Sequence, residues 1–329
     1  MNHSSSVKIA VVIPAYKTKQ HILDVLKRID DQVTLIYVVD DKCPDETGKF
    51  VENNCHDSRV HVVYHTSNSG VGGATITGYK KALTDGADII VKIDSDGQMQ
   101  PELISYVIHP IAIGNADYVK GNRFYTPGAL VKMPFIRLVG NTCLSLLNKV
   151  SSGYWNLMDP TNGFTAVHAN IIRILPLEKI SKGYFFESDM LFRLNIIRAM
   201  VIDVPMPVIY GNEKSNIKIG RVIIPFFFKH LSNTCKRIFY NYYLRNFNIA
   251  SIELFFGFLL LLFGITKGAF FWYTSMKLKT FASSGSVMLA ALPIIIGVQF
   301  LMGFFNYDVQ NTPHTPLHRS IFNYIHSSH

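Results

Sequence analysis

Over roughly the first two hundred residues, short β-branched runs alternate with longer stretches whose apolar positions recur every three or four residues. The runs at 8–13, 34–39, 60–64 and 89–93 predict strands, and the stretches at 20–29 and 73–83 predict helices. Strands regularly separated by helices imply an α/β domain on a largely parallel sheet covered on both faces. Ligands of such a sheet bind beyond the carboxyl ends of its strands, so the residues that follow each strand come first in any search for chemistry.

Beyond residue 207 the pattern changes in kind. Residues 222–246 interleave Phe226, Phe227, Phe228, Leu231, Ile238, Phe239, Tyr242 and Tyr243 with basic side chains. Such a segment is either an interfacial amphipathic helix, broken near Pro225, or a core helix with an ordinary apolar stripe; it could also mediate a homo-oligomer. Residues 255–266 are almost wholly apolar, and with their flanks at 249–251 and 268–273 they can cross about 30 Å of hydrocarbon. Glu253 and Lys267 lie toward the two ends of this span, within reach of the interfaces. Residues 280–307 contain no charged side chain and predict a second span.

The expected division is thus an α/β domain at 1–221, interfacial helices at 222–248, two transmembrane helices at 249–307 and a polar cytoplasmic tail at 308–329. His314, His318, His326 and His329 in that tail are expected to be solvated. No signal-type apolar run follows the polar N-terminus. Arg221, Lys229, Lys236, Arg237 and Arg245 precede the first span, against Lys267, Lys277 and Lys279 between the spans. This asymmetry places a multi-pass protein in the cytoplasmic (inner) membrane with its large domain on the cytoplasmic side.

Composition supports a membrane portion: 48% of the 329 residues are hydrophobic and only 17% charged, where soluble domains carry about a quarter. The net charge of +9 suits anionic lipid, a phosphorylated substrate or nucleic acid. No nucleic-acid recognition motif accompanies it, which leaves the first two. Cys43, Cys55, Cys143 and Cys235 lack the paired spacing of a zinc site or a disulfide framework and are expected to be reduced and structural.

The strongest chemical signal is Lys92-Ile-Asp94-Ser-Asp96-Gly-Gln98, in which two carboxylates and an amide oxygen leave a buried-type strand through a glycine turn. Oxygen donors of this kind suit Mg²⁺ or Mn²⁺, which could bridge two phosphates; the alternative is a turn whose acids cap the next helix. Asp40 and Asp41 close another strand, either to accept hydrogen bonds from a base or ribose or to precede a helix N-terminus. Gly70-Val-Gly72-Gly73 lacks the third glycine of a dinucleotide fingerprint, Thr75 standing in its place, and is expected to be a tight strand-to-helix turn. Walker, H-E-x-x-H and G-x-S-x-G sequences do not occur, so kinase and hydrolase classes lose their main support.

Pro14-Ala-Tyr16 after the first strand, Asp40-Asp41 after the second, Asp94-Ser-Asp96-Gly-Gln98, Gly121-Asn-Arg123, Asp159-Pro-Thr-Asn-Gly163-Phe164 and Glu213-Lys214-Ser215 follow one another in the order seen in glycosyltransferase family 2. With two C-terminal spans, the chain resembles that family's polyprenyl-phosphate branch, the relatives of dolichol-phosphate mannosyltransferase and bactoprenol glucosyltransferase. The resemblance implies a GT-A fold, a nucleotide-diphosphate sugar donor (UDP- or GDP-linked), a Mg²⁺ or Mn²⁺ ion and inverting transfer to a polyprenyl phosphate for cell-envelope glycan. By position, Pro14, Tyr16, Asp40, Asp41 and Asp94 would contact the nucleotide, Asp94, Asp96 and Gln98 the metal, and Arg123, Lys214, Lys218 and Arg221 phosphate. Lys214, Lys218 and Arg221 read equally well as a solvated face.

Asp159, then Asp189 and Glu187, are the candidates for positioning or base work, although Asp159 before Pro160 could form a turn and Glu187–Asp189 could precede a helix at Met190. Asn122 and Glu187-Ser-Asp189 depart from the family's commoner Ser and Gln-x-Glu, which bears on the acceptor more than the fold. Two other classes compete: transfer to a hydroxyl of a lipid-linked glycan, which needs a placed base, and a non-catalytic membrane scaffold with a degenerate transferase domain.

Overall fold

The computed structural model describes residues 7–125, 135–207 and 219–320. Strands β1 (Ile9–Ala15), β2 (Leu35–Asp40), β3 (Val60–Tyr64), β4 (Ile89–Lys92), β5 (Tyr118–Asn122), β6 (Thr165–His168) and β7 (Val201–Pro205) form one sheet in the order β3-β2-β1-β4-β6-β5-β7. All pairings are parallel except those of β6, which runs antiparallel to β4 and β5. Because β6 is reversed, its beginning, at Thr165, lies at the same sheet edge as the ends of β1, β4 and β5. That edge gathers the residues singled out above.

Alternation along each strand builds two apolar layers. Val11, Ile13, Ile36, Val38, Ile89 and Val91 face α1 (Ile22–Lys27), α2 (Thr47–Asn54) and α4 (Ile104–Ala112). Ala10, Val12, Tyr37, Val39 and Ile90 face α3 (Gly70–Thr84), α6 (Ala169–Ile174) and α7 (Phe186–Ile196). Helix α5 (Phe135–Ser152) follows β5, and α3 opens at Gly70 with φ of 80°, the tight turn expected there.

The chain divides into two compact units, 1–234 together with 313–329, and 235–312. The first unit therefore incorporates chain from both sides of the second. Asp117, fully buried, accepts hydrogen bonds from the Met200, Leu317 and His318 amides at 2.7–2.8 Å and pairs with His318 Nδ1 at 2.7 Å. His318 also stacks on His168 at 4.3 Å. This corrects the expected solvated tail: the early part of 308–329 is structural and His318 is buried. His326 and His329 lie outside the described residues.

Helix α8 (Ile219–Ile238) runs through Pro225 instead of breaking there. Pro225 is the seventh helical residue, so the helix continues past it without the hydrogen bond that its amide would have made to the carbonyl one turn back. Two of the helix's polar side chains are inside: His230 pairs with Ser151 at 2.7 Å and Asn233 donates to Asp189 at 3.0 Å, while Ile223, Ile224, Phe227, Phe228 and Leu231 are exposed. A core helix would show the reverse. Cys143 and Cys235 are exposed too, so only Cys43 is a buried structural thiol.

In the second unit a π-helical segment (Phe239–Arg245) leads to α9 (Ile249–Leu278) and α10 (Ser284–Gln310). Each contains an 18-residue stretch of mean hydropathy 2.2 and is long enough to cross a membrane. They pack closely where Gly257 and Gly297 face each other: a Cβ on Gly297 would stand 2.9 Å from the Gly257 carbonyl oxygen. The Arg237 guanidinium grips Asp308 through two hydrogen bonds at 2.6 and 2.9 Å, joined by the Tyr242 hydroxyl.

Candidate active site

Three carboxyl-end loops and the segment entering β6 build the site. After β4 the chain turns through Asp94–Gln98; Ser95 Oγ donates to the Pro14 carbonyl at 2.7 Å, tying this turn to β1, and Gly97 takes φ of 75° to complete it. Asp94 and Asp96 remain partly exposed, and Asp96 accepts the Gln98 amide at 3.0 Å. Two carboxylates with the exposed Gln98 amide oxygen are hard donors suited to Mg²⁺ or Mn²⁺, with coordination completed by water and phosphate. Among the described residues no cluster of three His, Cys, Asp or Glu side chains forms a self-sufficient metal cage. The donor set thus fits an ion shared with a substrate.

Behind this turn lies a charged network that was not anticipated. The buried Lys92 ammonium contacts Asp94 Oδ1 at 2.7 Å, Glu187 Oε1 at 3.0 Å and the Gly163 carbonyl at 3.4 Å. Burial by itself would lower its pKa, but Asp94 and Glu187 outweigh that and raise it, so Lys92 stays charged. A second buried lysine, Lys120 on β5, donates to the Asn162 carbonyl, and burial lowers it to about 8 against the pull of Asp159, Glu187 and Asp203. Asp203, which accepts from the Met158 amide and Asn122, is raised by burial to about 6.

On the other side of the 159–163 loop, the wholly buried Asp159 carboxylate accepts from Arg123 through Nε at 2.7 Å, Nη2 at 3.0 Å and the backbone amide at 3.2 Å. The Arg123 side chain itself is 37% exposed. An open cleft of about 360 Å³ adjoins it, lined by Phe124, Leu138, Leu146, Lys149 and Met158 among others.

Several expected ligands have other duties. Asp40 accepts the Cys43 and Gly48 amides, each at 2.7 Å, and Asp41 accepts the Ser69 and Gly70 amides and pairs with His65, all at 2.7 Å. Both carboxylates are buried: Asp40 holds the loop between β2 and α2, the helix-start role weighed for it above, and Asp41 holds the turn between β3 and α3. Asp189 accepts from the Ser181 amide, Arg193 and Asn233, and is likewise structural. Helix α7 starts at Phe186, not Met190, which puts Glu187 and Asp189 in its first turn on different sides of the network. Tyr16 is exposed at the end of β1 beside Pro14. Lys214, Lys218 and the Arg221 side chain lie outside the described residues.

The sequence profile described as glycosyl transferase family 2 matches residues 10–175. An undecaprenyl-phosphate mannosyltransferase of Micrococcus luteus is 34% identical over 204 residues, covering 61% of this chain and 83% of that one. A UDP-N-acetylglucosamine–dolichyl-phosphate N-acetylglucosaminyltransferase of Methanococcus voltae is 33% identical over 230 residues, 64% of this chain and 91% of that one. Among solved structures, glucosyl-3-phosphoglycerate synthase from Mycobacterium tuberculosis in complex with UDP superposes with a TM-score of 0.54 at 20% identity, covering 69% of this chain and 80% of that one. The α/β unit has the GT-A fold of these structures.

Proposed function

We propose that the chain, which belongs to glycosyl transferase family 2 and is a glycosyltransferase, moves a sugar from a nucleotide diphosphate to a polyprenyl phosphate at a membrane surface, inverting the anomeric carbon. The observation that carries this reading is that Asp159, Glu187 and Asp189, the candidate bases, are already engaged, with Arg123, with Lys92, and with Ser181, Arg193 and Asn233 respectively. A hydroxyl acceptor needs a base within hydrogen-bond reach. A phosphate monoester, with its second pKa about 6, is already anionic near neutrality and needs none.

On this reading Asp94 and Asp96, with Gln98, would hold Mg²⁺ or Mn²⁺, an ion that neutralises charge on a departing diphosphate. A related fold is known with Mn²⁺ and UDP-glucose bound, which favours a nucleotide-diphosphate donor here. Pro14 and Tyr16 stand at the end of β1 where a nucleoside would lie, and Asp40 and Asp41 keep the neighbouring loops in shape. Arg123, aimed by Asp159, stabilises phosphate charge as it develops. The largely apolar cleft beside it suits the start of a lipid chain, in keeping with relatives named for undecaprenyl and dolichyl phosphates.

Membrane placement rests on two features. The exposed apolar side of α8, with Lys229 and Lys236 alongside, suits contact with an anionic bilayer surface. Chain on both sides of α9 and α10 packs into one unit, which is what two crossings would allow. With two crossings, the basic residues of α8 would favour a catalytic unit on the cytoplasmic side.

The test uses detergent-solubilised protein, Mn²⁺, labelled UDP- and GDP-sugars, and undecaprenyl phosphate. Glycolipid is expected from at least one donor, and its formation should disappear in Asp96→Ala. Transfer to a glycan hydroxyl in place of the lipid phosphate, or no product from any donor, overturns the proposal.

A further inference from the structure

Lys92 ends β4, a position from which a lysine can ordinarily reach solvent, yet it is wholly buried. Its ammonium joins three segments far apart in sequence: Asp94 at 2.7 Å, Glu187 on α7 at 3.0 Å and the Gly163 carbonyl at 3.4 Å. A buried cation needs a compensating anion, and here the compensation is divided between α7 and the acidic turn. The two Asp94 oxygens consequently differ. Oδ1 takes the lysine, while Oδ2 lies beside the Gly163 Cα, where an added methyl would collide with it and stand 2.6 Å from Lys92 Nζ. Only a residue without a Cβ fits at 163 beside this carboxylate.

Building on the proposed function, we infer that Lys92 is a positioning residue for the cation site: anchored by Glu187, it fixes Asp94 so that Oδ2 is the oxygen presented to a divalent ion and the donor diphosphate. Lys92 does not touch the donor. Its charge is balanced as well as fixed, because two carboxylates around one ammonium leave the group anionic and still attractive to a cation. A carboxylate held before binding does not have to be ordered by the ion, so affinity is gained without an added ligand.

The experiment is a Mn²⁺ titration of the full chain in detergent, read by electron paramagnetic resonance with and without UDP and GDP, beside a thermal melt. Lys92→Met is expected to weaken Mn²⁺ binding about tenfold, and Lys92→Arg to recover part of it. The double variant Lys92→Met/Glu187→Gln removes the buried charge imbalance; it should melt near the wild type and still bind Mn²⁺ weakly. Wild-type affinity in Lys92→Met or in the folded double variant overturns the inference, as does a wild-type chain that binds no Mn²⁺. Lys92-dependent Mn²⁺ binding without sugar transfer to polyprenyl phosphate overturns only the proposed function.

Discussion

Asp159 aims Arg123: a carboxylate with no solvent exposure takes Nε at 2.7 Å and Nη2 at 3.0 Å, and so sets the plane of a guanidinium that is itself partly exposed. Such a two-point grip fixes direction as well as distance. The acid is the fixed element and the arginine the presented one.

If that division of labour holds, Asp159→Asn lowers turnover by about a hundredfold, the scale for losing one oriented charge stabiliser, while the acid limb of the pH–rate profile survives. Loss of that limb would instead mark Asp159 as the base. Arg123→Ala has a second cost, because it leaves a buried carboxylate unpaired; destabilisation of about 3 kcal/mol is expected in a thermal or denaturant melt.

His230 supplies a pH dependence. Burial holds its imidazole neutral with a pKa lowered to about 4, against about 6.5 in an unfolded chain. Between those values the unfolded chain binds the extra proton, so this contribution to stability is complete above about pH 6.5 and is lost as pH falls toward 4. His168, also lowered by burial to about 4, adds in the same direction. Melting temperature recorded from pH 7 to 4 should fall less steeply in His230→Gln, which can still bond Ser151 but does not titrate; an unchanged slope would remove His230 from the account.

Deleting the chain from residue 313 onward takes the Leu317 and His318 donors from Asp117 and leaves a buried carboxylate with the Met200 amide. A loss of about 3 kcal/mol in the catalytic unit is expected, and Asp117→Asn in the full chain should reproduce only part of it. A truncated chain that melts like the intact one would show that the clasp contributes nothing.

The sheet and the acidic turn were legible because each obeys a local rule: β-branched runs such as Ile89–Lys92 announce a strand, and a strand end followed by Asp-Ser-Asp-Gly announces a loop of carboxylates. What was not legible is which polar residues face inward. Lys92 and Lys120 sit in strands whose neighbours are apolar, and that break in the pattern was the available signal of buried charge. Asp40 and Asp41 read as nucleotide contacts and Asp189 as a positioning or base residue, but sequence order does not reveal backbone amides, and the amides of residues 43, 48, 69, 70 and 181 bond these carboxylates. The role of His318 was hidden for a related reason: its partner Asp117 lies 201 positions away.

That distance has a consequence for biogenesis. Residues 313–320 leave the ribosome only after both apolar helices have emerged, yet they complete the hydrogen bonding of Asp117 at the start of β5. The catalytic unit therefore cannot finish maturing ahead of the two apolar helices, and its last buried carboxylate is satisfied only once they have been made.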